Sequence, residues 1–224
     1  MPSIPTAQAE GFTARIDNLG LTRAALRAHA SMCDFGGNTE QVRQQLDFDS
    51  EAKAAGITFI PDCGQVPGLG TSLCAYAMTL QNKTLRWPGH YVQWKAFNDA
   101  GLISLDPVRV DDTSVIPRHL LHAVLEPQIL ARPGEQDMVI IRIIARGLKD
   151  GQEQEAIVDL FDYYDEATSF TSMERTTGWH AAIMAGFMAR RQTPLGGVPV
   201  ELAVPGQVFV EEFRKRGFEL CVSL

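Results

Sequence analysis

The spacing of apolar residues changes period several times along the chain. Residues 21–30 carry Ala and Leu at helical spacing. The short apolar piece Met32–Phe35 then runs into Gly36-Gly37-Asn38. Thr39 is placed to cap a short helix, and Asp49 or Ser50 to cap the next, which carries Glu51–Ala55 and stops at Gly56. Ile57–Ile60 is a compact run of the kind found in buried parallel strands. It empties into the loop Pro61–Gly70, after which residues 71–80 return to a helical pattern. Strand, glycine-rich loop and helix in that order predict α/β architecture, with ligands beyond the carboxyl ends of the strands.

The second half reads differently. Residues 89–101 and 117–126 have helical spacing, the latter with Pro117 in the first turn. Runs at 138–145 and 156–164 flank Lys149-Asp150-Gly151, and an Asp-Gly pair between β-rich runs predicts an antiparallel hairpin. Thr171 and Glu174 fit a capping box for a helix reaching about Arg191, with Trp179, Ile183, Met184 and Phe187 as its buried face. A last helix near Pro205–Arg216 stops at Gly217 before a short terminal strand.

Composition narrows the function classes. The 224 residues include 20 basic and 27 acidic side chains, a formal charge of −7. That balance is wrong for nucleic acid or an anionic membrane, which are gripped by clustered Lys and Arg. The ordinary apolar fraction predicts a folded chain. Its first residues have neither the basic nor the apolar region of a secretory signal, and the longest apolar stretches, Met138–Ile141 and Ala181–Ala189, are too short to span a bilayer. Cys33, Cys63, Cys74 and Cys221 include no C-x-x-C pair and read as small buried hydrophobes of a reducing compartment. A soluble cytoplasmic protein is expected. His119 and His122 share a helix face, but with only Glu126 nearby they read as a solvated or packed face, and no metal is expected. Asp162, Asp165 and Glu166 read as solvated charge at a strand end. No G-x-S-x-G, H-E-x-x-H or P-loop pattern occurs.

Four segments, in order, resemble the saccharopine dehydrogenase and lysine 6-dehydrogenase family: Cys33-Asp34-Phe35-Gly36-Gly37-Asn38, Asp62-Cys63-Gly64-Gln65-Val66-Pro67-Gly68, Thr84-Leu85-Arg86-Trp87-Pro88-Gly89-His90, and Met173-Glu174-Arg175-Thr176-Thr177-Gly178-Trp179. The resemblance implies an incomplete Rossmann-like parallel sheet within residues 1–80, followed by an α+β substrate domain over 81–224. It implies an NAD(P)-dependent amino-acid dehydrogenase that moves hydride from an amine-bearing carbon to nicotinamide, with NAD or NADP as cofactor, a small amino acid as substrate and a homo-oligomeric state. Gly36, Gly37, Asn38, Asp62, Gly64, Pro67 and Gly68 are the implied cofactor-side residues, against the plainer reading of ordinary strand-to-helix turns. Thr71 or Ser72 would open a helix whose amide end favours anions. Arg86, His90, Thr176 and Thr177 are the implied substrate-side residues. A guanidinium can grip a carboxylate through two parallel hydrogen bonds, and a histidine exchanges protons near neutral pH or serves packing alone. No residue is singled out as the catalytic group.

Two departures from the family pattern accompany these matches. No G-x-G-x-x-G occurs, and the roughly twenty residues before the first helix leave no room for the unit that carries it. Gln81-Asn82-Lys83 directly joins segments that family members separate by several strands. An alternative function follows: a shortened, non-catalytic family member acting as an association or scaffold module through exposed sheet edges. NAD and NADP are not distinguished, because the residue that reads the ribose 2′ position belongs to the missing unit.

Overall fold

In the computed structural model, residues 18–36, 38–77, 90–130, 134–149 and 152–223 are described. The elements run α1 (Asn18–Ala28), β1 (Met32–Cys33), α2 (Thr39–Leu46), α3 (Asp49–Ala55), β2 (Thr58–Ile60), α4 (Leu69–Tyr76), α5 (His90–Asp99), β3 (Val108–Val110), β4 (Thr113–Val115), α6 (Pro117–Ile129), β5 (Met138–Lys149), β6 (Gln152–Tyr163), α7 (Ser172–Ala189), β7 (Gly196–Gly197), α8 (Val200–Ala203), α9 (Gly206–Arg214) and β8 (Leu220–Ser223). The fold is α/β. Two compact units divide it, one of Asp17–Thr84 with Gly134–Leu224 and one that includes Leu85–Pro133.

The larger unit holds two sheets. A parallel one has the order β1-β2-β7, with Met32 opposite Phe59 and Thr58 opposite Gly196. Its third strand comes from late in the chain, which no period-2 pattern announces, since Gly196 and Gly197 carry no side chains to alternate. An antiparallel sheet has the order β5-β6-β8. Its register runs from Met138 opposite Tyr163 to Lys149 opposite Gln152, which leaves the two residues of the expected Asp-Gly turn between the strands.

The main core lies under α4, α7 and α9, where Phe209, Phe213 and Phe218 stack in series at centroid distances of 5.6 and 4.0 Å. Full burial of each such ring contributes about 1.5–3 kcal/mol. Beneath α1 and α3 a smaller cluster gathers Ala52, Ile57 and Phe59. The smaller unit contains α5, the β3–β4 hairpin and α6, with Pro117 at the start of α6 as expected.

Several local expectations need correction. The cap of α2 is Asn38, whose side-chain oxygen accepts from the amides of Glu40 and Gln41, so Thr39 lies inside the helix. Helix α3 opens after Phe48 without any side-chain cap. Trp179 is not core: the inward positions of α7 are Thr176, His180, Ile183, Met184 and Phe187, and Trp179 lies on the surface under the Arg216 guanidinium. Cys221 is exposed, while Cys63 is buried and Cys33 and Cys74 half-buried; all four are free thiols. Asp162 is buried and pairs with Arg175 (Nε–Oδ2 3.2 Å), which also holds Asp165 at 2.9 Å, so these two belong to an ion network, while Glu166 is exposed as expected. Burial pushes the Asp162 carboxyl up from its usual range.

Candidate functional site

Parallel strands put their carboxyl ends on one side of a sheet, and there β1 and β2 deliver the first two family-like segments. Asp34 follows β1 and Pro61-Asp62-Cys63-Gly64 follows β2. The loops are stitched together: the Cys63 amide donates to the Asp34 carbonyl at 2.7 Å, and the Asp34 amide to that of Ile60 at 3.3 Å. The Asp34 carboxylate accepts from the Gly36 amide and from Gln45 Nε2, both at 2.7 Å. Gln45 also donates to Thr22 Oγ1 at 3.1 Å, tying α1 and α2 to the same carboxylate.

The glycines are explained by how closely the loops approach each other. Gly36 has φ +65°, and a Cβ there would run into the Asp62 carboxylate and lie 2.8 Å from its Cα. Gly68 has φ +124°, and a Cβ there would strike the Gly64 carbonyl oxygen and come within 2.6 Å of that of Asp62. Both positions demand glycine twice over, by dihedral and by space. Asp62 itself takes φ +63°, an uncommon conformation for a residue with a side chain, here where the two loops meet. Val66–Pro67 is a cis peptide, and the Leu69 and Gly70 amides donate to the carbonyls of Gly64 and Gln65, each at 2.9 Å. The helix after the loop therefore begins at Leu69, ahead of Thr71 and Ser72, and its first amides are satisfied by the loop.

Ser72 points into the core. Its hydroxyl lies 3.0 Å from Nε2 of His180, a fully buried histidine from α7 whose Nδ1 has no hydrogen-bond partner among the described residues. Burial lowers the His180 pKa to about 4, so the ring is neutral at physiological pH. Phe209 packs against it at 5.2 Å. Cys33 and Cys63 also meet below the loops. The Cys33 thiol donates to the Ala181 carbonyl at 3.8 Å and the Cys63 thiol to that of Ile60 at 3.3 Å; the neighbouring Cys63 side chain holds the Cys33 pKa below its usual value, while Cys33 and burial push that of Cys63 up.

On α7, the expected capping box is present: Thr171 Oγ1 accepts from the Glu174 amide at 3.1 Å while Glu174 accepts from the Thr171 amide at 2.8 Å. Asp137 occupies the rest of the helix head, accepting from the amides of Ser172 and Met173, the latter at 2.8 Å. Thr176 is buried and donates to the Ser172 carbonyl at 2.8 Å; Thr177 is half-buried with its hydroxyl 3.8 Å from Met173 Sδ. His90 opens α5, its side chain outside the described residues, as are Gly37 and Arg86 altogether. The structure thus brings together Gly36, Asp62, Gly64, Pro67 and Gly68, while Asn38 caps α2. Sequence reasoning passed over Gln45, His180 and Asp137, named Ser72 only as a residue that would open α4, and quoted Asp34 only within a family-like segment. Of these, His180 had a signal: it sits four residues from Thr176 and three from Ile183, on the inward stripe.

The two loops thus carry the Asp34 carboxylate, held by Gly36 and Gln45, and that of Asp62, with the exposed ring of Phe35 between the β1 end and Gly36. Carboxylate oxygens accept from hydroxyl or ammonium donors, and the ring offers an aromatic surface. The family model of the saccharopine dehydrogenase C-terminal domain matches residues 34–218. The chain belongs to that family. The match starts at Asp34, the residue that binds the two loops, and runs to Phe218, the last ring of the phenylalanine stack. Among the described residues no group of three His, Cys, Asp or Glu side chains is placed to hold a metal ion, and no helix is long and apolar enough to cross a membrane.

Proposed function

We propose that this saccharopine dehydrogenase family member works in hydride transfer between NAD or NADP and the amine-bearing carbon of a small amino acid, as lysine 6-dehydrogenases and saccharopine dehydrogenases do. The observation that supports it is the joining of Asp34–Asn38 to Asp62–Gly68 at the carboxyl ends of adjacent parallel strands, within the matched residues. The crevice suits the ribose and nicotinamide end of a dinucleotide. Asp34 and Asp62 accept ribose hydroxyls or the substrate ammonium, and Phe35 offers a face to a flat ring. It does not suit the pyrophosphate, which two carboxylates repel and for which the α4 amides are already taken. The nicotinamide, when bound, supplies the hydride chemistry. The protein's part is to hold that ring still against the substrate carbon and to keep a charged amine close to carboxylate.

Arg86 and His90 take the substrate side in this reading, Arg86 on the amino-acid carboxylate. Thr177 is a substrate-side residue in the same reading, and Thr176 supports it from within α7. The functional division near residue 80, with 1–80 facing cofactor and 81–224 facing substrate, is one of ligand side rather than compactness. The chain works in the cytoplasm as a homo-oligomer. A second reading, an association or scaffold module without turnover, is favoured by the internally satisfied heads of α4 and α7.

The test is titration with NADH and NADPH, followed by quenching of tryptophan fluorescence. Saturable quenching at micromolar cofactor, weakened about tenfold by Asp62→Asn (about 1.4 kcal/mol), is expected. Folded protein that shows no quenching overturns the cofactor reading and leaves the module. Lysine and saccharopine oxidation assays then separate the substrates.

A further inference from the structure

Two free thiols stand side by side beneath the joined loops, and the reading of the site above gives them nothing to do. Cys33 ends β1 and lies opposite Ile60, the last residue of β2. Just beyond β2 the chain turns back. Asp62 takes φ +63°, the Cys63 amide donates to the Asp34 carbonyl at 2.7 Å, and the Cys63 thiol donates to the Ile60 carbonyl at 3.3 Å. The Cys63 sulfur is thereby held against the residue that faces Cys33 across the sheet. Adjacent strands lie about 4.8 Å apart, and a disulfide joins Cα atoms roughly 4.4–6.8 Å apart. The two side chains are neighbours already, so pairing calls for rotation about their own bonds and not for a new fold.

The thiols also differ from each other in the way an oxidisable pair requires. Cys33 is half-buried and Cys63 wholly buried, so an oxidant reaches Cys33 first. The Cys63 side chain holds the Cys33 pKa below its usual value, whereas Cys33 and burial push that of Cys63 up. The thiolate is the nucleophile, and Cys33 is the one that forms it more readily. Cys74 on α4 is pushed up by burial, and Cys221 stands on β8.

We propose that Cys33 and Cys63 are a peroxide-sensitive pair that closes to a reversible disulfide beneath the two loops. The Cys33 thiolate attacks hydrogen peroxide and breaks the O–O bond, becoming a sulfenic acid and releasing hydroxide, which takes up the proton Cys33 had given up. The Cys63 sulfur then attacks the Cys33 sulfur. The S–O bond breaks, and the departing hydroxyl leaves with the Cys63 proton as water. Two thiols are oxidised to one disulfide while one peroxide is reduced to two waters, and a dithiol reverses the change by exchange. The bond ties the residue before Asp34 to the residue after Asp62, fixing the bases of both loops to each other. Where thiols are kept reduced, a disulfide of this kind is transient and serves as a sensor. The inference stands whether or not the loops hold a cofactor.

The test is exposure of the folded full chain to hydrogen peroxide, followed by intact mass and by peptide mapping without reduction. The expected result is the loss of two hydrogen masses, a linked peptide joining Cys33 to Cys63, and recovery of both thiols on adding dithiothreitol. Cys74→Ser with Cys221→Ser leaves both members of the pair in place and is expected to give the same linked peptide. Cys63→Ser removes the resolving thiol and is expected to leave Cys33 as a sulfenic acid that dimedone traps. Wild-type protein in which Cys221 is oxidised while Cys33 and Cys63 both stay free overturns the proposal. So does linkage of Cys33 or Cys63 to any other cysteine, or oxygen added to Cys33 while the Cys63 thiol beside it remains unreacted.

Discussion

His180 is a titratable group held where it cannot easily take a proton. Its folded pKa of about 4 lies below the usual histidine value of 6.5, so between those values the unfolded chain binds a proton that the folded chain does not. Stability is then complete above about pH 6.5 and falls as the pH drops towards 4, by on the order of 3 kcal/mol from this residue. Thermal melts of the wild type and His180→Gln across that window should converge on acidification, because only the wild type loses this contribution. Parallel curves would contradict it. The same scale governs the crevice glycines. Gly36→Ala adds a Cβ to a left-handed residue and drives it into Asp62, and a loss of about 2 kcal/mol or more in urea unfolding is expected. A Gly36→Ala protein as stable as the wild type would mean that Asp62 swings aside freely.

At the scale of elements, α7 shows how a helix head can be filled by its own chain. Asp137 and the Thr171–Glu174 box together satisfy the amides that a bound anion would otherwise seek. Asp137→Ala removes two bonds to a carboxylate and is expected to cost about 2 kcal/mol in stability; Thr171→Ala is expected to cost about 1 kcal/mol. Chemical denaturation of both variants checks the order of the two effects. The capping box was legible in the sequence because its partners are three residues apart. Asp137 was not, because it reaches the helix from 35 residues upstream. The hairpin was legible for the same local reason, two β-rich runs around Asp-Gly, whereas β7 has only two glycines and is defined by its neighbour. In the candidate site, the loop glycines stood out as residue types. Their reason, collision between two loops that meet only in the fold, is a tertiary fact. Trp179 and His180 show the limit of helical periodicity: a stripe one residue wide in error exchanges an aromatic surface residue for a buried histidine.

At the scale of the whole molecule, the parallel sheet ties early and late sequence together. Thr58 is hydrogen-bonded into register with Gly196, and the Val198 amide donates to the Phe59 carbonyl at 2.8 Å. During synthesis at about 5–20 residues per second, the middle strand of this sheet waits on the order of ten seconds for its second neighbour to be made. Until then Phe59 and Ile60, fully buried at the end, have only half their cover. The nascent chain therefore has a built-in interval of exposure, during which the crevice loops already exist as sequence but have no floor. A chain broken anywhere between β2 and β7 would lose the crevice as surely as one in which its residues were replaced.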